Sequence, residues 1–396
     1  MATQLRLKDP QAAFGRSLIP SAARLPVQGV ELPKKRLEAR KIIREHVPRV
    51  PGIYGYIDRS HRLIYVGKSK SLRNRLLSYQ SKTPPDDKMA RIVQQAKGLV
   101  WEPISHELLA LIREQELISR WRPVCNVQGQ PQRRQPVFVK LDMSQAPFAA
   151  HARRVQAGPH HFFGPVAGSA EVGKAIVSLN YAFRLRDCQA KTPINFGNQL
   201  ELFPEVRTPL CIRAELGTCP APCAGGCTRE QYDDQAQDAL AFLRGDDLSI
   251  LARLQEEMFD AAQRQAYETA TIRRNQLDQL DWLNRRLEML RRARREQHGL
   301  FPLPGFDHQT VWVLLQAGMM IEMIATDDKA SSWEQLQHRV NHVQLDETPR
   351  IPKSVHEIYM QMILVSWFRK HREDRFRIVD FDDSERLQRH HAAAAC

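Results

Sequence analysis

Residues 51–75 read PGIYGYIDRSHRLIYVGKSKSLRNR, and this stretch decides what kind of domain the first third of the chain builds. Ile53–Ile57 and Leu63–Val66 are short runs rich in β-branched and aromatic residues, and the polar Asp58–His61 between them reads as the turn of a hairpin. Tyr54 and Tyr65 then fall on paired strands, with Lys68 and Arg75 just downstream. Ser71–Tyr79 is helical in pattern. Glu107–Trp121 is a longer amphipathic helix that stops before Pro123.

Hydrolysing a phosphodiester needs an activated water, stabilisation of developing charge and a metal. Two phenols side by side, with Lys68 and Arg75 bringing positive charge to them and to a scissile phosphate, meet the first two needs. A free Tyr has a pKa of about 10, so a phenol is a usable base at neutral pH only in such a cationic setting. Glu114 supplies one carboxylate on a helix, which suits a hydrated Mg²⁺ held by few protein ligands. Taken singly each residue is ordinary, since tyrosines fill cores and Glu107, Glu114 and Glu116 sit on a helix that is partly surface. Taken together they read as a catalytic constellation.

GIY at 52–54, YVG at 65–67, KSKSLRNR at 68–75 and ELLALIREQELISRWRPVCN at 107–126 resemble the GIY-YIG nuclease signature. The resemblance implies Tyr65 as general base or water-positioner assisted by Lys68, Tyr54 and Arg75 at the phosphate, Glu114 on Mg²⁺ or Mn²⁺, and Asn126 supporting the site. It also implies hydrolysis of DNA with 5′-phosphate and 3′-hydroxyl products.

The likeness continues beyond this segment. HHFFGPVAGSAEVGKAIVSLNYAFRLRDC (160–188) and CIRAELGTCPAPC (211–223) are similar to passages of the UvrC family, nuclease subunits of the bacterial excinuclease. The matching cysteines of that family hold an iron–sulfur cluster, which implies Cys188, Cys211, Cys219 and Cys223 as ligands, with Cys227 an additional thiol. By spacing alone four such thiolates bind Zn²⁺ or Fe–S, so zinc stays an alternative. MFDAAQRQAYETATIRRNQL (258–277) resembles the UVR motif, a helical hairpin that implies UvrB as a partner; Thr271 and Asn275 depart from its usual Ala and Asp. The family continues into an RNase H-like second nuclease and helix-hairpin-helix repeats. VWVLLQAGMMIEMIA (311–325) reads as a remnant hairpin of that second nuclease with no acidic triad, so a truncated relative making one incision in damaged or structured DNA is expected.

The bulk properties agree. The 58 Lys and Arg against 45 Asp and Glu give +13, which favours a polyanionic partner, DNA above all. No apolar run reaches the ~18 residues of a membrane span, and the start lacks a signal-like apolar segment, so a cytoplasmic protein with no membrane association is expected. Five of the seven cysteines lie between Cys188 and Cys227, which in such a chain suggests a metal site before a disulfide framework. The expected fold is α+β. A basic arm (1–44) precedes a nuclease domain (45–128) with a mixed or antiparallel sheet flanked by helices. A linker (QGQPQRRQP, 128–136) and cysteine module (129–228), a helical hairpin (229–298) and an α/β region (299–396) follow. Two rival functions are a non-catalytic DNA-binding adaptor that keeps the fold and a restriction or mobile-element nuclease.

Overall fold

The computed structural model describes residues 9–81, 87–126, 135–189, 191–199, 208, 211–327, 329–342 and 351–381. The chain forms two units, one of residues 1–133 with 293–396 and one of 134–292. The architecture is α+β with antiparallel sheets. The expected linker lies outside the described residues up to 134.

The first unit begins with α1 (Pro10–Phe14), β1 (Gln28–Glu31) and α2 (Arg36–His46). The hairpin follows as β2 (Gly52–Ile57) and β3 (Leu63–Ser69), its turn tied by Asp58, whose carboxylate accepts from the Ser60 and Arg62 backbone N–H groups at 2.8 and 3.0 Å. Next come α3 (Leu72–Tyr79), α4 (Asp87–Gln95), β4 (Gly98–Pro103) and α5 (Glu107–Trp121). The sheet order is β1-β4-β2-β3, so β3 is an outer strand. Strand alternation puts Tyr54 and Tyr56 on one face, packed with Ala39, Ile43, Leu72, Leu76, Met89 and Ile92. Ile53, Val66 and Val100 serve the opposite face, against Leu108, Leu109 and Ile112 of α5.

The N-terminal segment corrects one expectation. From residue 9 onward the predicted arm is built into the fold: Phe14, Ile19 and Ala23 are buried, and β1 pairs with β4. The charges of this segment drew attention, but its apolar side chains decide where it goes. Arg113, wholly buried, holds it down by donating to Gly15 O and Arg16 O while pairing with Glu102 at 2.7 Å and Glu116 at 2.9 Å.

The C-terminal region is not a separate body either. β8 (Gly299–Pro304), β9 (Thr310–Gln316) and β10 (Met319–Thr326) form an antiparallel sheet, the β9–β10 turn carrying Ala317 and Gly318 at positive φ as a two-residue hairpin loop requires. Two further helices in this region are Ala330–His342 and Val355–Lys370. Phe301, Leu303, Val311 and Val313 share one core with Met360, Leu364, Trp367 and Phe368 and with the inner side of α5.

The second unit has strands β5 (Val137–Asp142), β6 (Phe148–Ala152) and β7 (His160–Val166), with β5 in the middle. Helix Ser169–Ala182 covers them, and its Asn180 side chain brackets Ala149 by accepting from its N–H and donating to its carbonyl, both at 2.9 Å. Helices Arg229–Arg244, Ser249–Gln263 and Tyr267–Glu296 follow, so the segment expected as a hairpin holds three helices. No helix among the described residues is long and apolar enough to cross a membrane.

Because Leu364 is buried in the core shared with α5, Leu364→Ala should cost about 3 kcal/mol. Hydrogen exchange should quicken in β2–β4 as well as in 351–381. Faster exchange confined to 351–381 would show that this region folds on its own.

Candidate active site and a cysteine-lined cavity

An outer strand leaves alternate N–H and C=O groups pointing away from its sheet. In β3 these meet specific partners. The Cys125 N–H donates to Ile64 O at 3.0 Å. Asn126 brackets Val66, its Oδ1 accepting from the N–H at 2.9 Å and its Nδ2 donating to the carbonyl at 2.8 Å. The Lys68 backbone lies beside the Glu114 carboxylate. Tyr65 therefore stands between fixed backbone positions, on a strand latched to α5 and to the segment behind it.

On the tyrosine face, the Tyr54 hydroxyl lies 2.7 Å from that of Tyr79, with Arg75 and Tyr65 close enough to act on its acidity. The Arg75 guanidinium sits 4.9 Å over the Tyr79 ring. The rings of Tyr54 and Tyr65 are 6.2 Å apart between centroids. Two motif glycines are explained by space. A Cβ at Gly67 would stand 2.6 Å from the Tyr54 hydroxyl, and one at Gly52 would stand 2.4 Å from Glu102 O. Neither has a positive φ, so room rather than backbone conformation calls for glycine here.

Burial controls the acidities. It raises Tyr54 and Tyr56 far above the ordinary phenol value. Tyr65, only half-buried, is pushed up to about 12 by burial, by Tyr79 and by Glu114, against the hydrogen bond from Tyr54 and the charge of Arg75. The expected lowering of a phenol by nearby cations is thus outweighed by desolvation. Lys68 is engaged elsewhere: its ammonium pairs with Glu107 at 2.8 Å, and Lys70 joins the same carboxylate at 3.1 Å. Those hydrogen bonds hold Glu107 below the usual carboxylate range.

Glu114 is the reverse case. Burial pushes it up to about 7, offset in part by Lys68, and it makes no salt bridge among the described residues. A desolvated carboxylate with no cation of its own, at the mouth of a phenol and guanidinium cluster, fits a ligand to a largely hydrated divalent ion. No group of three or more His, Cys, Asp or Glu among the described residues is arranged to hold a metal.

The structure brings Tyr54, Tyr65, Arg75 and Glu114 together. Asn126 and the Lys68 ammonium act on backbone and on Glu107 instead. The sequence reading missed two residues. Tyr79 follows Arg75 by one helical turn, and that i,i+4 spacing was the available signal. Glu107, as the anchor of Lys68 and Lys70, left no signal.

In the second unit, Cys188, Cys211, Cys219 and Cys223 line one cavity of about 260 Å³, together with Arg186 and Arg213. Arg186 Nη1 lies 3.6 Å from Cys188 Sγ. Cys227 is buried outside that lining, its thiol pushed up to about 11 by burial. Every cysteine among the described residues is free of disulfide. The four thiols share one cavity lining with two basic side chains, but, like every other set of His, Cys, Asp or Glu among the described residues, they are not arranged to hold a metal ion as they stand.

Comparison with known proteins adds to this geometry. A family model described as the UvrC-like GIY-YIG domain matches residues 50–127, and one for the UvrC/Cho excinuclease middle domain matches residues 137–242. UvrABC system protein C of Dictyoglomus thermophilum is 29% identical over 280 residues, covering 70% of this chain and 45% of that protein. Its counterpart in Nitrosomonas eutropha is 31% identical over 234 residues, covering 59% and 37%. The chain thus spans less than half the length of these relatives. Among solved structures, the GIY-YIG N-terminal endonuclease domain of UvrC from Thermotoga maritima, bound to its catalytic divalent cation magnesium, is 39% identical. That match covers 22% of this chain and 94% of that one, with a TM-score of 0.21. The chain is thus similar to UvrC proteins, its residues 50–127 matching a UvrC-like GIY-YIG domain and its residues 137–242 a UvrC/Cho excinuclease middle domain.

Proposed function

We propose that the protein is a divalent-metal-dependent endonuclease that makes a single incision in damaged or structured DNA during nucleotide excision repair. The observation that carries this reading is the convergence of Tyr54, Tyr65, Arg75 and Glu114 on the outer edge of β3. An adaptor that merely kept the fold would have no use for a desolvated carboxylate without a cation beside three linked phenols. The middle domain speaks against a restriction or mobile-element nuclease.

In this mechanism Arg75, exposed above the Tyr79 ring, receives the scissile phosphate and stabilises the charge that develops on it. Tyr65 keeps its proton near neutral pH, so it orients the attacking water through its hydroxyl and does not act as a free phenolate. Tyr54 and Tyr79 fix that hydroxyl and Arg75 in place. Lys68 assists by its backbone, which lies beside Glu114, and by its ammonium, which ties β3 to the start of α5 through Glu107. Glu114 would hold Mg²⁺ or Mn²⁺, which when bound supplies Lewis-acid stabilisation at the phosphate. The cut leaves 5′-phosphate and 3′-hydroxyl ends.

The four-cysteine cavity would hold an iron–sulfur cluster, with zinc the alternative, and its role is to close the middle of the chain around a charged centre. The stretch 258–277 is the proposed docking site for UvrB. Phe259, Tyr267 and Ile272 are exposed there, a set of large apolar side chains left uncovered around one interhelical turn.

Tyr65→Phe, Arg75→Ala and Glu114→Gln should each reduce cutting of a lesion-bearing duplex by at least about 100-fold while DNA affinity changes little. Tyr79→Phe should cost about tenfold or more, because it unhooks Tyr54 without removing a group that meets the phosphate. Full cutting by Glu114→Gln would remove the metal assignment. A duplex with one bulky adduct, labelled at each end of the damaged strand in turn, should give one cut; a lesion-containing fragment bounded by two cuts would refute the single incision.

Protein purified without oxygen should contain iron, and Cys219→Ser should abolish the iron and lower the melting temperature of residues 134–292. Stoichiometric zinc with no iron would make the cavity a zinc site.

A further inference from the structure

A groove of about 920 Å³ is lined by the β2–β3 hairpin, the start of α2, the end of α3 with Tyr79, and α4. Lys34, Arg36, Arg59 and Lys97 line it, and none of them makes a salt bridge among the described residues. Asp58 is the one acidic residue of the lining, and it is already neutralised: Arg62 pairs with it at 3.2 Å, and backbone N–H groups take its other oxygen. The remaining wall is largely apolar, with Ile64 and Ala96 buried. Four uncompensated cations in a trough with low-dielectric walls focus a positive potential far more than the same charges scattered on a convex surface.

We infer that this groove holds the sugar–phosphate backbone of the DNA strand flanking the incision, an inference that rests on the endonuclease reading above. Its position argues for this occupant. Tyr79 lines the groove, and its hydroxyl lies 2.7 Å from that of Tyr54 while Arg75 covers its ring. One tyrosine is therefore common to the cationic trough and to the groups that meet the scissile phosphate. A strand seated in the trough would leave it beside Arg75. The fold also gives the N-terminal segment a task here: held in place through β1, it delivers Lys34 and Arg36 to the groove rather than trailing as a loose basic arm.

The test measures binding of a short labelled duplex by the full chain in EDTA, so that no cutting competes, across a series of salt concentrations. One variant combines Lys34→Ser, Arg36→Gln, Arg59→Ser and Lys97→Ser. A control of equal charge combines Lys353→Ser, Arg369→Gln, Lys370→Ser and Arg372→Gln, all exposed positions away from the groove. The groove variant should bind more than about 30-fold more weakly at about 0.1 M salt, with the slope of log affinity on log salt reduced by about three; the control should lose less than about threefold. Equal losses in the two variants, or an unchanged slope in the groove variant, overturn the inference. Should the fourfold groove variant melt early, Arg59→Ser with Lys97→Ser alone should still reduce the slope by about 1.5, and no reduction again overturns it. Failure of the endonuclease reading would look different: the unaltered protein would bind with the full salt slope yet leave DNA intact in Mg²⁺.

Discussion

The outward edge of β3 is the constraint on which the rest of the site depends. A strand at the margin of a sheet has polar groups that must be satisfied, and an unguarded edge invites pairing with any other strand. Here Cys125 and Asn126 satisfy Ile64 and Val66 in turn, and the Glu114 carboxylate lies beside Lys68. Asn126 does this as an imitation of a neighbouring strand, offering one donor and one acceptor to one residue. The result is that the carboxylate proposed to hold metal is in register with the strand that presents Tyr65. A shift of either by a fraction of a residue would leave a buried polar group without its partner, at a cost of about 1–3 kcal/mol.

A second set of interactions fixes the helix behind that edge. Arg113 joins Glu102 of β4, Glu116 of its own helix and the carbonyls of Gly15 and Arg16, while Arg24 adds a further pairing to Glu102 at 3.2 Å. A buried pair of this kind is weak evidence for stability, because desolvation offsets most of its attraction. What it does supply is specificity, since removing one member strands a charge and costs about 3–5 kcal/mol. Sheet, helix and N-terminal segment are thereby committed to one arrangement, and α5 carries both Glu107 and Glu114 within it.

The hairpin and the helix Glu107–Trp121 were legible in the sequence because periodicity and local spacing encode them, and the grouping of Tyr54, Tyr65, Arg75 and Glu114 because the resemblance to the GIY-YIG signature implies it. β4 was not marked. Gly98–Pro103 is buried along its whole length, so it lacks the alternation that betrays a half-exposed strand. The N-terminal segment was misjudged because its charges are conspicuous in sequence, whereas the pockets that accept Phe14 and Ile19 exist only in three dimensions. The acidity of Tyr65 was out of reach for a related reason: nearby cations can be read from a motif, but desolvation depends on what packs around it. Tyr79 lay within reach, one turn beyond Arg75, yet only the fold shows that its ring is shared by the tyrosine cluster and the groove.

The first unit is assembled from two stretches of chain, 1–133 and 293–396, with 159 residues of the second unit (134–292) between them. Its core includes Phe301, Val313, Leu364 and Trp367 as well as the inner side of α5. During synthesis the chain emerges in order, and domains generally fold as units as they emerge. The GIY-YIG sheet must therefore wait on the ribosome with one face of α5 uncovered until the whole middle domain has been made. The first unit is begun first and completed last.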